Sequence, residues 1–290
     1  MRPFRSQFLT LRERRIHLRV WGADEVPGAP TIVCLHGWGD VGATFQFLVD
    51  ALDGNWRVVA PDWRGFGLSQ WNDGAYWFAD YLADLDALLE HLSPDAPVRL
   101  VGHSMGGIVA SLYAGIRPQR VARLANIEGY LAANPPAEAA ARVDLWLAQN
   151  RAPAPVFRQY ASHVAFAARL RADNPRLTSE RAIFLAEQSL QASGEGFVFA
   201  ADPHHRWISP IYFPLAEAQA CWRRISAPVL WVSGRDSRLA QTLAGNRADA
   251  SKRHAGIADL RELTLADCGH NVHHDQPQAL ASALTAFFSA

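Results

Sequence analysis

Apolar runs of strand length alternate along this chain with segments whose apolar residues recur at helical spacing. Residues 31–35 and 58–60 are continuous apolar runs, typical of strands buried on both faces of a sheet. Residues 81–92 place tyrosine and leucine side chains on one face of a predicted helix. Residues 98–101 and 108–116 repeat the strand and then the helix. This alternation predicts an α/β protein with a mainly parallel sheet covered by helices on both sides.

The two ends of the chain extend the same pattern. Residues 7–11 and 16–21 alternate between apolar and polar side chains and predict a hairpin. Further strands are predicted at residues 121–127, 229–232 and 260–265, and a last helix at residues 277–288.

The strand pattern is interrupted between residues 130 and 221. Pro-rich turns there separate short stretches that predict helices, and no strand is indicated. We therefore expect residues 1–129 and 222–290 to form the core domain, with residues 130–221 inserted as a helical cap over the carboxyl edge of the sheet. Ligands of open α/β sheets bind at that edge, so the cap is expected to shape a substrate pocket.

Composition argues against several classes of protein. The 290 residues carry 28 Lys and Arg against 28 Asp and Glu, so no excess charge indicates a nucleic acid or a membrane as partner. Three cysteines are too few for a disulfide framework or a zinc site. Residues 1–20 lack the apolar core of a signal peptide, and no apolar run reaches membrane-spanning length. We expect a cytoplasmic protein that acts on a small molecule, and a homodimer is left open.

One serine stands where a strand turns into a helix. Residues 102–106 read Gly-His-Ser-Met-Gly and join the strand predicted at 98–101 to the helix predicted at 108–116. The flanking glycines remove Cβ atoms where strand and helix crowd the turn. The helix also directs its free N–H groups and positive dipole end toward the place where an oxyanion would form. This setting predicts that Ser104 is a nucleophile.

A serine hydroxyl needs a neighbouring base, and His270 is the leading candidate. It follows the last predicted strand, in a loop expected to overhang the sheet edge that presents Ser104. His273 and His274 are rivals, and a metal site there is only weakly indicated because no carboxylate or cysteine cluster accompanies them. We interpret both as structural and His103 as a buried turn residue, and we expect no metal.

Four motifs in this order resemble the α/β-hydrolase superfamily, in its branch of capped esterases, carbon–carbon bond hydrolases, epoxide hydrolases and dehalogenases. They are His36-Gly37-Trp38-Gly39, Asp62-Trp63-Arg64-Gly65-Phe66-Gly67-Leu68-Ser69, the turn that carries Ser104, and Gly269-His270. The resemblance covers almost the whole chain. It implies the α/β-hydrolase fold: a mostly parallel eight-stranded sheet flanked by helices, with an inserted helical cap.

The resemblance also implies roles at the site. Ser104 would be the nucleophile, His270 the base, and the backbone N–H groups of Trp38 and Met105 the oxyanion hole. Related dehalogenases and epoxide hydrolases use an aspartate nucleophile, whereas a serine suits attack on a carbonyl carbon. We therefore expect a serine hydrolase of the carboxylesterase type, which needs no cofactor.

The acidic member of the triad has two candidates. Family members often place it after the strand predicted at 229–232, where counting puts Ser237 at the usual position and Asp236 one residue early. The other known location is the end of the preceding strand, which here carries Glu128. Either carboxylate would stabilise the protonated imidazole. Strand register favours Glu128, and Asp236 remains the alternative.

Aromatic residues around the cap predict the character of the substrate. We expect His36, Gly37, Tyr130, Trp146 and Trp207 to contribute to the pocket, and the substrate to be a small-to-medium ester with an apolar acyl or alcohol part. The same triad would serve a carbon–carbon bond hydrolase of keto-acids, or a perhydrolase or haloperoxidase. A ligand receptor that keeps the fold without efficient catalysis is a third hypothesis.

Overall fold

An eight-stranded sheet forms the centre of the computed structural model, which describes residues 1–22, 30–131, 136–244, 254 and 256–289. In spatial order its strands are β1 (Arg5–Leu11), β2 (Arg14–Trp21), β4 (Arg57–Pro61), β3 (Thr31–Leu35), β5 (Val98–His103), β6 (Val121–Ile127), β9 (Val229–Gly234) and β10 (Leu260–Leu265). The pairings of β2 with β1 and with β4 are antiparallel. All other neighbours in the sheet are parallel, which confirms the expected α/β architecture.

The order in which successive strands are added to the sheet changes side at β3. Strand β4 pairs with one edge of β3, and β5 pairs with the other. A crevice opens at such a switch point beyond the carboxyl ends of the strands, and ligands of open α/β sheets bind there. Ser104 follows β5 and Trp38 follows β3, so the strand order brings both to this crevice.

Helices cover both faces of the sheet. On one face lie α2 (Phe78–Leu92), α3 (Met105–Ile116) and α7 (Leu215–Trp222), and on the other lie α1 (Gln46–Ala51) and α10 (Pro277–Ser289). Alternate residues of β3 point to the two layers, since Val33 packs with the first and Ile32 with the second. Both layers remove strand residues from water, which explains the continuous apolar run of this strand.

The segment after β6 departs from the expected cap. Its helices are α4 (Ala139–Arg151), α5 (His163–Asp173) and α6 (Ser179–Ser189), and an antiparallel hairpin follows, formed by β7 (Leu190–Ser193) and β8 (Gly196–Phe199). The expectation of helices alone was therefore wrong. Gly194 adopts φ +58° between the two strands, and a glycine turn between short apolar segments was the missed signal.

Residues 136–214, called the insertion below, are anchored to the core. The carbonyl of Gly65 accepts a hydrogen bond from the Asp202 N–H at 2.8 Å, and the Tyr76 hydroxyl donates to the Asp202 carboxylate at 2.8 Å. Helix α7 packs against α3, so the boundary expected at residue 221 falls within a helix that contacts the core.

Two further short α-helices lie near the site. They are α8 (Arg238–Ala244), which follows β9, and α9 (Val272–Asp275), which follows the loop carrying His270. Across the described ranges, no helix combines the length and the apolar character that crossing a membrane requires.

Candidate active site

Ser104 occupies a strained turn between β5 and α3. Its backbone has φ +51° and ψ −117°, a conformation that costs a residue with a Cβ on the order of 1–3 kcal/mol. Hydrogen bonds on both sides hold it: the Ser104 N–H donates to the Ile127 carbonyl at 2.9 Å, and the Ile108 N–H donates to the Ser104 carbonyl at 3.0 Å. A side chain on Gly106 would meet the backbone of β3, with an added Cβ 2.1 Å from the Leu35 carbonyl oxygen. Tight packing therefore enforces the turn.

Glu128 meets His270 at the same sheet edge. The imidazole Nδ1 lies 3.1 Å from Oε2 of Glu128, whose side chain is fully buried. Because an ionised carboxylate only accepts, Nδ1 carries the proton and Nε2 is left with its lone pair. The Glu128 backbone is also left-handed, with φ +56°, and its N–H donates to the Val232 carbonyl at 2.9 Å. This backbone hydrogen bond to β9 thus fixes the position from which the Glu128 side chain extends.

Two further hydrogen bonds fix the Glu128 carboxylate. The N–H of Gly234 donates to Oε1 at 2.8 Å, and the Ser237 hydroxyl donates to Oε2 at 2.6 Å. Ser237 occupies the sequence position at which family members often carry the acid of the triad. The two positions considered for the acid, at residues 128 and 237, are therefore in contact in the structure. Sequence reasoning missed Ser237 as a partner of Glu128, although the count had already identified its position.

Asp236 lies apart from this hydrogen-bond network. Its carboxylate pairs with the Arg176 guanidinium at 2.6 Å, and the side chains of Asp236 and Arg176 are 41% and 40% exposed. Its N–H donates to the Cys268 carbonyl, which turns the chain so that the next side chain, Ser237, points to Glu128. Among the described carboxylates, that of Glu128 is the one in contact with His270, as strand register favours.

The loop after β3 packs directly against the serine turn. An added Cβ on Gly37 would lie 3.0 Å from the Ser104 Cβ and 3.0 Å from Nδ1 of His103, so a side chain there would press on both the serine turn and the His103 ring. Trp38 follows, 54% exposed, and its indole N–H donates to the His205 carbonyl of the insertion at 3.2 Å. Met105 begins α3, where the first N–H groups of a helix lack intrahelical acceptors.

His36 does not contribute to a described pocket and instead supports the loop from below. It is fully buried; its Nε2 accepts from the Trp63 N–H at 2.9 Å, and its Nδ1–H donates to the Gly37 carbonyl at 2.7 Å. Gly37 likewise contacts the serine turn rather than a described cavity. Backbone partners occupy the His36 ring, and Gly37 packs against the turn, so neither residue lines a described cavity; that both contribute to the substrate pocket stays a prediction.

Two cavities meet at Trp38. A cavity of about 360 Å³ with a mixed lining is called the polar cavity below because it holds Ser104 and His270, beside apolar side chains such as Phe166. An apolar cavity of about 560 Å³ is lined by Met105 and by three residues expected in the pocket: Tyr130, Trp146 and Trp207. Trp38 lines both, so the serine turn lies between a polar compartment and an aromatic one.

Three more histidines surround the base. The His103 ring donates from Nε2 to the His270 carbonyl at 3.0 Å and so holds the loop of the base. Burial lowers the pKa of His103 well below its usual range, and lowers the pKa of His273 and His274 to about 3. Burial also raises the pKa of Asp40, whose Oδ2 lies 3.8 Å from Nε2 of His273. All three histidines are therefore neutral at pH 7.

Comparison with known proteins identifies the family. A family model described as the alpha/beta hydrolase fold matches residues 30–277. A serine hydrolase-like protein of Danio rerio is 30% identical over 282 residues, which cover 93% of this chain and 83% of that protein. A pimeloyl-[acyl-carrier protein] methyl ester esterase of Vibrio atlanticus (strain LGP32) is 36% identical over 119 residues, 40% of this chain and 42% of that protein. A solved thioesterase domain from the curacin biosynthetic pathway superposes with a TM-score of 0.86 at 27% identity, covering 97% of this chain and 99% of that one.

Proposed function

The chain belongs to the alpha/beta hydrolase family, with esterase and serine hydrolase-like relatives, and we propose that it is a serine hydrolase cleaving a carboxylic ester through Ser104, His270 and Glu128. The observation that carries the proposal is the convergence of a strained serine turn and a buried Glu128–His270 pair on one sheet edge. The triad arrangement depends on geometry rather than on sequence order.

The first half of the reaction forms an acyl-enzyme. The Ser104 Oγ attacks the ester carbonyl carbon while Nε2 of His270 takes the hydroxyl proton, and Glu128 stabilises the imidazolium through Nδ1–H. The carbonyl oxygen becomes an oxyanion that accepts from the N–H groups of Met105 and Trp38, each worth on the order of 3 kcal/mol. The tetrahedral intermediate then collapses, and His270 returns the proton to the departing alcohol.

The second half releases the acid. Water attacks the acyl carbon as His270 takes one of its protons, and the oxyanion forms again in the same place. Collapse breaks the bond to the Ser104 Oγ, which recovers its proton from His270. The cycle consumes one water per ester and yields one alcohol and one carboxylic acid.

The apolar cavity supports a substrate with an extended apolar part. Its wall includes Trp146 and Trp207 from the insertion and Met105 from the serine turn, so a group bound there reaches the nucleophile. Burying apolar surface contributes about 25 cal/mol per Å². We assign the larger apolar part of the ester to this cavity and the smaller part to the polar one.

Active-site labelling tests the proposal. A fluorophosphonate is added to the purified protein, the modified residue is located by mass spectrometry, and Ser104→Ala is the control. Fast labelling confined to Ser104, together with hydrolysis of chromogenic esters, is the expected result. A folded protein that resists labelling would contradict the proposal and favour a ligand receptor on the same fold.

A further inference from the structure

A partly buried carboxylate and two buried imidazoles converge beside the proposed triad, on residues that the proposed reaction does not use. Asp40 lies in the loop after β3, and His273 and His274 form the centre of α9. One potential ligand atom from each of the three lies within 4.8 Å of the other two, and Oδ2 of Asp40 and Nε2 of His273 are 3.8 Å apart.

Both histidines have ring nitrogens without hydrogen-bond partners in the described part of the chain. This holds for Nδ1 and Nε2 of His273, which is fully buried, and for Nε2 of His274, which is 6% exposed. A buried polar atom left without a partner costs about 1–3 kcal/mol, so two adjacent histidines of this kind need an explanation. The Phe45 ring stacks on that of His273 with their centroids 5.0 Å apart, and the Phe47 ring meets that of His274 edge-on.

The carboxylate is fixed by hydrogen bonds that leave it room for a further partner. Oδ1 of Asp40 accepts from the Val41 N–H at 2.9 Å, and Oδ2 accepts from the Thr44 hydroxyl at 3.0 Å. An ionised carboxylate offers about four lone-pair sites, so each oxygen keeps one for a metal ion. Hydrogen-bonded ligating carboxylates are the usual arrangement around protein metal sites.

We propose that Asp40, His273 and His274 bind a divalent transition-metal ion. Two imidazole nitrogens and one carboxylate oxygen form a donor set that suits Zn²⁺ and its neighbours in the first row. Tetrahedral zinc ligands about 2.1 Å from the ion stand about 3.4 Å from one another, so closing the present spacing needs side-chain shifts of about 1 Å. Water completes the coordination.

The ion would reach this site through the polar cavity. Asp40 and His274 line that cavity together with Ser104 and His270. The His103 ring lies between the two centres, 4.4 Å from the His273 ring and 4.8 Å from the His270 ring. A bound ion would fix α9 three residues beyond the base and narrow the space in front of the nucleophile. It would therefore inhibit hydrolysis, a consequence that rests on the proposed function.

Calorimetric titration of the chelator-treated full chain with Zn²⁺ tests the site without reference to activity. The expected result is one ion per chain with a Kd in the micromolar range or tighter. Asp40→Asn and His274→Gln should each weaken binding at least tenfold, as loss of one of three protein ligands requires. His91→Gln, which removes an exposed histidine of α2, should leave the Kd unchanged. Circular dichroism confirms that each variant is folded.

Anomalous scattering from crystals soaked in Zn²⁺ locates the ion. The rate of fluorophosphonate labelling, with and without Zn²⁺, measures the effect of the ion on Ser104. A peak within bonding distance of the three side chains and at least tenfold slower labelling support the inference. A Kd unaffected by Asp40→Asn and His274→Gln, a peak elsewhere, or ordered water alone at the cluster would overturn it. A serine that stays unlabelled without zinc contradicts the proposed function, whereas the calorimetric result still decides the metal site.

Discussion

The polar and the apolar cavity share Trp38, and both lie between the core and the insertion, but different parts of the insertion close them: Phe166 and Leu177 the polar cavity, Trp146 and Trp207 the apolar one. The reacting groups of the polar cavity, Ser104 and His270, follow strands of the core sheet. Much of the apolar wall comes from the insertion, including Trp146 and Trp207. The comparison teaches that the proposed reacting groups come from strand ends of the core, while the insertion contributes side chains to the walls of both cavities.

The two parts also differ in how firmly they are held. Ser104 and Glu128 both have positive φ, and each donates its N–H to the carbonyl of a neighbouring strand residue at 2.9 Å. Helix α4 of the insertion, in contrast, has no fully buried residue among those described. Few buried contacts mean low local stability, so we expect α4 to be protected less from amide hydrogen exchange than β5 and β6.

The largest effect is expected for the nucleophile. Ser104→Ala should lower kcat for ester hydrolysis on the order of 10⁴-fold, since the attacking atom is lost while the oxyanion donors stay. The measurement is kcat on a chromogenic ester, with the melting temperature as a check on folding. Residual activity above one-tenth of wild type would mean that another group attacks.

The two carboxylates provide a matched pair. Glu128→Gln should lower kcat on the order of 10²–10⁴-fold, because an amide no longer holds the Nδ1–H tautomer or stabilises the imidazolium. Asp236→Asn removes only an exposed ion pair with Arg176 and should change kcat less than about threefold. Comparable losses in both variants would contradict the assignment of Glu128.

The insertion should affect selectivity rather than chemistry. Trp146→Ala opens the apolar cavity and should lower kcat/KM about tenfold for long-chain esters, with little change for acetate esters. The matched control is Trp71→Ala, at a 40% exposed tryptophan of the core. The readout is kcat/KM across a series of acyl and alcohol chain lengths. A uniform loss over the series would assign Trp146 a structural role.

A smaller effect is expected where Ser237 supports the acid. Ser237→Ala removes one hydrogen bond to a buried carboxylate, worth about 1 kcal/mol, and should lower kcat about fivefold. Ser237→Thr retains the hydroxyl and should recover most of the activity. If Thr and Ala behave alike, the hydroxyl does not act through Glu128.

The pH dependence of stability tests the anchoring of the insertion. Burial lowers the pKa of His205 to about 3, and its ring stacks on those of Phe66 and Tyr76. The unfolded chain, with a histidine pKa of about 6.5, binds this proton first, so stability is full above pH 6.5 and falls as the pH drops toward 3.

The slope attributable to His205 is about 1.4 kcal/mol per pH unit at most. Urea unfolding of wild type and His205→Gln between pH 7 and pH 4.5 measures it, and the variant should lose stability less steeply. Parallel slopes would show that His205 is already accessible to protons in the native state.

Periodicity predicted the core better than the insertion, for a physical reason. The run at 31–35 is apolar throughout because both faces of β3 are covered, and such a run is visible locally. The hairpin of β7 and β8 has only four residues in each strand, and half-buried side chains give a weak pattern. Gly194 marks the turn between these two strands, and the signal was missed because the segment was expected to be helical.

The sequence by itself determined the α/β class, the serine turn and the two candidate acids, because strand ends and glycine turns are local properties of the chain. Tertiary structure alone decided that Glu128 contacts His270, that Ser237 supports it and that Asp236 pairs with Arg176. It also decided that Asp40 meets His273 and His274, residues more than 200 positions away. Such contacts between residues far apart in the sequence depend on strand order and loop packing, which no local pattern of side chains encodes.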